Sequence, residues 1–217
     1  MLKRPQQSKR RIAATLGPLA DEVAALLLNC ALEDLALWPG AICLAPASSA
    51  DLAWAETLLT SSAGRRYVVA QSEGNLGQRI MQVDQLLRSQ GEEKIIMLGT
   101  DCPTLTADYL SKANAELEKR SVVLGAARDG GVVLMGASRQ WPDLADLPWS
   151  TSKLRQALTR LCENTLHPVT CLDERSDIDT QADLMNLRTS LSSDERPARQ
   201  ALTGWLDLHH QLLSAAS

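Results

Sequence analysis

Leu98-Gly99-Thr100-Asp101-Cys102-Pro103 sets a carboxylate at the end of an apolar run and directly before a proline-directed turn. The run itself, from Lys94 to Leu98, reads as a fully buried parallel strand: it is short, rich in β-branched residues and lacks polar alternation. In open α/β sheets, ligands lie just beyond the carboxyl ends of such strands. Asp101 would have solvent on one side and an apolar wall on the other, which suits a hard cation and the phosphates it carries. By itself the same aspartate reads equally well as a turn cap.

Three further loops carry groups of the same kind. In Gln71-Ser72-Glu73-Gly74-Asn75-Leu76-Gly77-Gln78-Arg79, the two glycines permit close backbone approach to a ligand, and the helix that follows favours an anion at its N-terminus. Glycines before a helix are also common in plain turns. Arg128-Asp129-Gly130-Gly131 is first of all a hairpin signal. Its other reading is a pocket where Gly130 and Gly131 present backbone and Asp129 accepts from hydroxyl groups. Asp177-Ile178-Asp179-Thr180 opens a helix. Asp179 is either its N-cap or, with Asp177 as second choice, the partner of Asp101 in a two-carboxylate grip on Mg²⁺ or Mn²⁺.

The elements that must position these loops alternate along the chain. Apolar spacing predicts helices over 18–38, 48–59, 76–89, 106–119, 150–164, 180–191 and 196–214, and strands over 41–44, 67–70, 94–98, 121–126, 131–136 and 168–172. This alternation predicts an α/β fold: one three-layer α/β/α sandwich with a mainly parallel sheet. Residues 1–217 read as a single domain, with the helix over 196–214 packed onto it.

Composition narrows the function. A formal net charge of -4 argues against a nucleic-acid partner, which usually needs a basic face. No run approaches the roughly 18–20 apolar residues that span a bilayer, so no membrane role is expected. Five cysteines without a CxxC pair read as buried thiols of a reducing compartment, with the cytoplasm as the default. The basic cluster Lys3, Arg4, Lys9, Arg10 and Arg11 is either a phosphate-binding arm or a solvated tail.

Taken in order, with Trp149-Ser150-Thr151 between the third and fourth loops, these motifs resemble a bacterial family labelled arsenosugar-biosynthesis glycosyltransferase. That family was formerly a domain of unknown function and is often encoded near radical-SAM proteins. It belongs to the nucleotide-diphosphosugar transferase superfamily, with a glycosyltransferase-A-like fold. The resemblance spans about residues 9 to 190 and rests on Gln71 to Arg79, Gly99 to Leu105, Asp129 to Gly136, Trp149 to Thr151 and Asp177 to Leu184. It implies a metal-dependent transferase moving a sugar from a nucleotide-diphosphosugar donor to a small-molecule acceptor. Asp101 and Asp179, with Asp177 second, would hold Mg²⁺ or Mn²⁺. Lys9, Arg11, Gly74, Gly77, Arg79, Gly130, Gly131, Trp149, Ser150 and Thr151 would surround the nucleotide sugar, and Asp129 or Glu73 would act on the acceptor. A nucleotidyltransferase that releases pyrophosphate, and a silent relative acting as a binding or scaffold protein, are the alternatives.

The chain departs from the family pattern at its start. Members begin with an apolar strand followed by K-x-P-x-x-G-x-x-K-T-R-L, whereas here only Met1 and Leu2 precede Lys3, Lys9 and Arg11 match the basic pair, and the glycine is missing. The first strand is therefore expected to be shortened or absent, with residues 1–17 a degenerate nucleotide loop. A central sheet position is left for another segment or a partner chain, and a homodimer is one way to fill it. Asn75 and Val132 also replace the usual aspartate and tyrosine.

Overall fold

Apolar periodicity in this sequence resolves into a layered α/β arrangement in the computed structural model, which describes residues 1–59, 64–165 and 167–215. In chain order the elements are α1 (Arg10–Leu16), α2 (Leu19–Ala36), β1 (Ile42–Leu44), α3 (Leu52–Leu58), β2 (Arg66–Val68), α4 (Leu76–Ser89), β3 (Ile95–Leu98), α5 (Ala107–Leu117), β4 (Val122–Ala127), β5 (Val132–Ala137), α6 (Leu154–Asn164), β6 (Val169–Arg175), α7 (Gln181–Ser190), α8 (Pro197–Leu208) and α9 (His210–Ala215). Helix starts follow the capping chemistry in the sequence. Asn75 and Gln78 form a capping box on α4, Thr106 accepts from the Tyr109 N–H on α5, and Thr180 and Asp183 form a capping box on α7. Helix α6 differs from expectation. It begins at Leu154 without a side-chain cap, because the Thr151 hydroxyl is used one turn earlier, accepting from Lys153. The last predicted helix is broken at His209 into α8 and α9.

The strands form a parallel pair, β1 with β2, and a four-stranded sheet ordered β3-β5-β4-β6. Strands β4 and β6 pair in parallel, while β5 runs antiparallel to both β3 and β4. Only β5 is reversed in that sheet, and the reason is local: Arg128 to Gly131 turns β4 straight back on itself. The β3 run is thus bonded to an antiparallel neighbour on one edge, and its other edge faces β1.

Strand β4 is buried along its whole length, and its two faces define the layers. On one side Val122 and Leu124 pack with Ile80, Val83 and Leu87 of α4 and with Leu158 and Cys162 of α6. On the other, Val123 packs with Tyr109, Leu110, Ala113 and Leu117 of α5. A separate apolar cluster joins α1, α2, α7, α8 and α9 through Ile12, Val23, Leu27, Leu184, Leu202 and Leu206, and reaches the site loops through Ile178.

That cluster contains one buried cation. The Arg199 side chain on α8 is fully buried, and its guanidinium donates to Asp34 Oδ2 at 2.6 Å, Glu33 Oε2 at 2.8 Å and the Cys30 carbonyl at 2.6 Å. It also donates to the Pro103 carbonyl at 3.1 Å, just past Asp101. Arg196 donates to the other Asp34 oxygen at 2.7 Å.

All five cysteines are thiols, and burial pushes Cys30, Cys43 and Cys102 up to about 11 and Cys162 up to about 12. Cys171, expected to be buried, is instead exposed on β6. Among the described residues no helix is long and apolar enough to cross a membrane.

Candidate functional site

The carboxyl ends of β3 and β6 lie at the same end of the sheet, and a backbone hydrogen bond joins the loops that follow them. The Ile178 N–H donates to the Asp101 carbonyl at 2.9 Å, and buried Ile178 anchors its loop in the helical cluster. Asp101 and Asp179 are thereby brought to a common point. The Lys9 ammonium marks it, donating to Asp101 Oδ2 at 3.2 Å, Asp179 Oδ1 at 3.3 Å and the Ile178 carbonyl. Arg11 donates to the other Asp179 oxygen at 3.4 Å. The helix cap that Asp179 might have supplied comes from Thr180, so its carboxylate is left to these cations.

Lys9 sits at φ +50°, a left-handed conformation that a side-chain-bearing residue adopts only where its surroundings hold it. Its side chain is 8% exposed, against 37% for Asp101 and 43% for Asp179. The cation is thus clamped from behind, and the carboxylates present their outer faces to solvent. Asp177 stands beside them. Burial pushes its carboxyl up to about 6, reinforced by the negative charges of Asp129, Asp101 and Asp179. Four carboxylates share this neighbourhood with two close cations, so the potential there is negative and favours a further positive charge.

The oxygen donors suit a hard divalent ion. Among the described residues no three His, Cys, Asp or Glu side chains converge on one point. Two carboxylates and a backbone carbonyl do, as the Lys9 contacts show. Mg²⁺ is commonly held by one or two carboxylates with its other positions left for water and phosphate oxygens, which matches this set.

A cleft of about 620 Å³ opens at this point. Of the residues singled out from sequence, Lys9, Arg11, Asp101, Asp177, Asp179, Trp149 and Ser150 line it. Lys3 of the basic cluster, Gln71 and Thr100 of the quoted loops, and Val132 at the usual tyrosine line it too, as does Gln7, which nothing in the sequence singled out.

Other residues serve the walls. Gly77 lies so close to the 144–149 segment that a Cβ would come within 2.2 Å of the Leu144 carbonyl oxygen, and Trp149 Nε1 donates to that same oxygen at 3.0 Å. Gly77→Ala is therefore expected to cost about 1–3 kcal/mol by overpacking, measured by urea unfolding. Gly74, at φ +105°, turns the loop so that its carbonyl accepts from Arg79 Nε at 2.9 Å. Asp129 Oδ1 accepts from the Gly131 N–H at 2.7 Å, and Gly130, at φ +90°, abuts the Ser152 carbonyl. The Thr151 hydroxyl donates to the Pro148 carbonyl at 2.7 Å. Glu73, Gly74, Gly77, Arg79, Asp129, Gly130, Gly131 and Thr151 are thus outside the cleft lining; Glu73 and Asp129 are exposed, and Asp129 lies close enough to cleft-lining Asp177 to help raise its pKa.

Residues 28–151 match the model of the family described as "Uncharacterized protein conserved in bacteria", DUF2064. The chain belongs to that family. No curated protein matches it. A solved structure from Desulfovibrio desulfuricans G20, provisionally described as a nucleotide-diphospho-sugar transferase, superposes on this DUF2064 chain with a TM-score of 0.85. The two are 22% identical over 99% of this chain and 95% of that one. A Mycobacterium sp. strain JC1 homologue of Mycobacterium tuberculosis Rv0371c is similar at a TM-score of 0.51 and 20% identity, over 76% of this chain and 83% of that one. The DUF2064 chain shares the fold of these proteins. The family match includes Asp101 and Asp129 and ends before Asp177 and Asp179.

Proposed function

We propose that this protein transfers a sugar from a nucleotide-diphosphosugar to a small-molecule acceptor, using Mg²⁺ or Mn²⁺. The observation that carries the reading is the convergence of Asp101 and Asp179, from the ends of different strands, on one point at the mouth of the cleft. The description of the Desulfovibrio structure and the resemblance to arsenosugar-biosynthesis glycosyltransferases support the same chemistry.

Asp101 and Asp179 would hold the ion, with the Ile178 carbonyl and Asp177 beside them. Bound there, it would supply charge neutralisation on the diphosphate. Lys9 and Arg11, now paired with these carboxylates, are placed to donate charge-assisted hydrogen bonds to phosphate oxygens. Their role is to stabilise the negative charge that grows on the departing nucleoside diphosphate as the acceptor attacks the anomeric carbon. Trp149 walls the cleft, and Asp129 at its rim can accept from a sugar or acceptor hydroxyl.

The test is calorimetry with Mn²⁺ and uridine or guanosine diphosphate. Binding of a diphosphate that requires Mn²⁺ is expected, and its absence would overturn the reading. Pyrophosphate release from a nucleoside triphosphate with Mn²⁺ would instead identify a nucleotidyltransferase. One substitution probes the carboxylate alone. A Cβ on Gly99 would meet Asp101 Oδ1 at 2.4 Å, the far end of a side chain that can rotate away. Gly99→Ala should keep stability within about 1 kcal/mol yet weaken Mn²⁺-dependent nucleotide binding, both read on one preparation.

A further inference from the structure

Lys9 and a divalent ion claim the same three oxygens. The Lys9 ammonium donates to Asp101 Oδ2 at 3.2 Å, to Asp179 Oδ1 at 3.3 Å and to the Ile178 carbonyl. Mg²⁺ bonds such oxygens at about 2.0–2.1 Å, which puts it in the space the ammonium fills. The remaining carboxylate oxygens offer no second seat. Asp101 Oδ1 turns back on its own loop, so close to Gly99 that a Cβ there would meet it at 2.4 Å. Asp179 Oδ2 faces Arg11 Nη1 at 3.4 Å. Only the inner oxygens converge, and the lysine sits among them. Its side chain is 8% exposed, so water and salt screen little of the repulsion between two cations there.

The ammonium can leave without unfolding its segment. The Lys9 carbonyl accepts from the Ala13 N–H at 2.9 Å, and Ile12 of α1 is fully buried, so the backbone is held in place. What moves is a flexible four-carbon stem. Lys9 lines the cleft together with Gln7, Ser8 and Arg11, which gives that stem room to turn. In the cleft the ammonium exchanges three oxygens for none unless an anion meets it. A diphosphate is such an anion.

Taking the proposed metal site as given, we infer that Lys9 is an exchangeable cation that couples the two ligands. A divalent ion takes its oxygens only as a diphosphate takes its ammonium. The species recognised is then the metal–diphosphate pair, and either half alone binds weakly. Such coupling is reciprocal, because both ligands act on one equilibrium of the Lys9 side chain.

The test titrates Mn²⁺ alone into the parent chain, Lys9→Met and Arg11→Met, following the paramagnetic resonance signal of the free ion. Lys9→Met empties the seat and should bind Mn²⁺ roughly tenfold or more tightly than the parent. The same variant should bind uridine diphosphate with Mn²⁺ more weakly than the parent does. Arg11→Met removes a largely exposed charge without emptying the seat, and should raise Mn²⁺ affinity by less than about threefold. Lys9→Gly suits the left-handed backbone at φ +50° and replaces Lys9→Met if that variant does not fold. In the parent, acetic anhydride followed by mass spectrometry reads the side chain directly. Acetylation of the Lys9 amine should speed up with millimolar Mn²⁺ and slow again when uridine diphosphate is added. Unchanged or weaker Mn²⁺ affinity without Lys9, an equal gain in Arg11→Met, or Lys9 acetylation indifferent to Mn²⁺ would overturn the inference. Failure of the transferase reading looks different: the parent then binds no uridine diphosphate with Mn²⁺ present, whatever the variants do with the ion alone.

Discussion

Arg199→Met should lower the free energy of unfolding by about 3–5 kcal/mol, the cost of breaking a buried ion pair by removing one partner. For a chain of this length that is a fall in Tm of about 10–15 °C. The size follows from what remains. Asp34 is 3% exposed in its side chain, and burial already pushes its carboxyl up while Arg199 and Arg196 pull it back down. Without Arg199 only Arg196 opposes that penalty, and the carbonyls of Cys30 and Pro103 lose a donor. The pH dependence has a definite sign. A carboxyl whose folded pKa lies above its unfolded value favours folding below the unfolded pKa and loses that contribution as pH rises through the folded one. The deficit of the variant relative to the parent should therefore be full at pH 8 and shrink toward pH 4. Urea unfolding at both values measures it. A double variant, Arg199→Met with Asp34→Leu, should recover part of the loss, because it leaves no charge buried alone.

Arg199 also shows where sequence reading stops. Its helix carries an ordinary amphipathic pattern, and nothing local marks this arginine as the one whose partner lies 165 positions earlier. By contrast, Asp101 was singled out from its place at the end of an apolar run and Asp179 from the loop that opens a helix, and the structure brings both side chains to Lys9. What the sequence left open was settled by neighbours. The Asp179 side chain was equally plausible as a helix cap until Thr180 was seen to fill that role. Asp129-Gly130 was read both as a hairpin and as a pocket wall; the hairpin is formed, and it reverses β5 within a sheet predicted to be mainly parallel. Gly77 was selected for approach to a ligand, but the close approach it permits is to Leu144 and Trp149. Helix α1 went unseen inside a segment read as loop, since seven residues with two basic ones give too short a period to recognise.

Asp101→Ala should abolish Mn²⁺-dependent binding of a nucleoside diphosphate, by at least about a hundredfold, while changing stability by less than about 1 kcal/mol. The two halves have different physical origins. Asp101 is more than a third exposed, and its ion pair with Lys9 is one of three contacts to that ammonium, so Asp179 and the Ile178 carbonyl still satisfy the cation. The backbone link that joins the two loops, Ile178 N–H to the Asp101 carbonyl, does not involve the side chain and survives. Metal affinity has no such substitute, since among the described residues only two carboxylates meet at the Lys9 position and one of them would be gone. Asp101→Asn refines the comparison by keeping size and one oxygen while removing charge; it should bind Mn²⁺-nucleotide more weakly than the parent and fold as well. Calorimetry and thermal unfolding on the same samples separate the outcomes. An unchanged binding isotherm in Asp101→Ala would place the cation elsewhere, whereas joint loss of folding and binding would make Asp101 a structural residue of its loop.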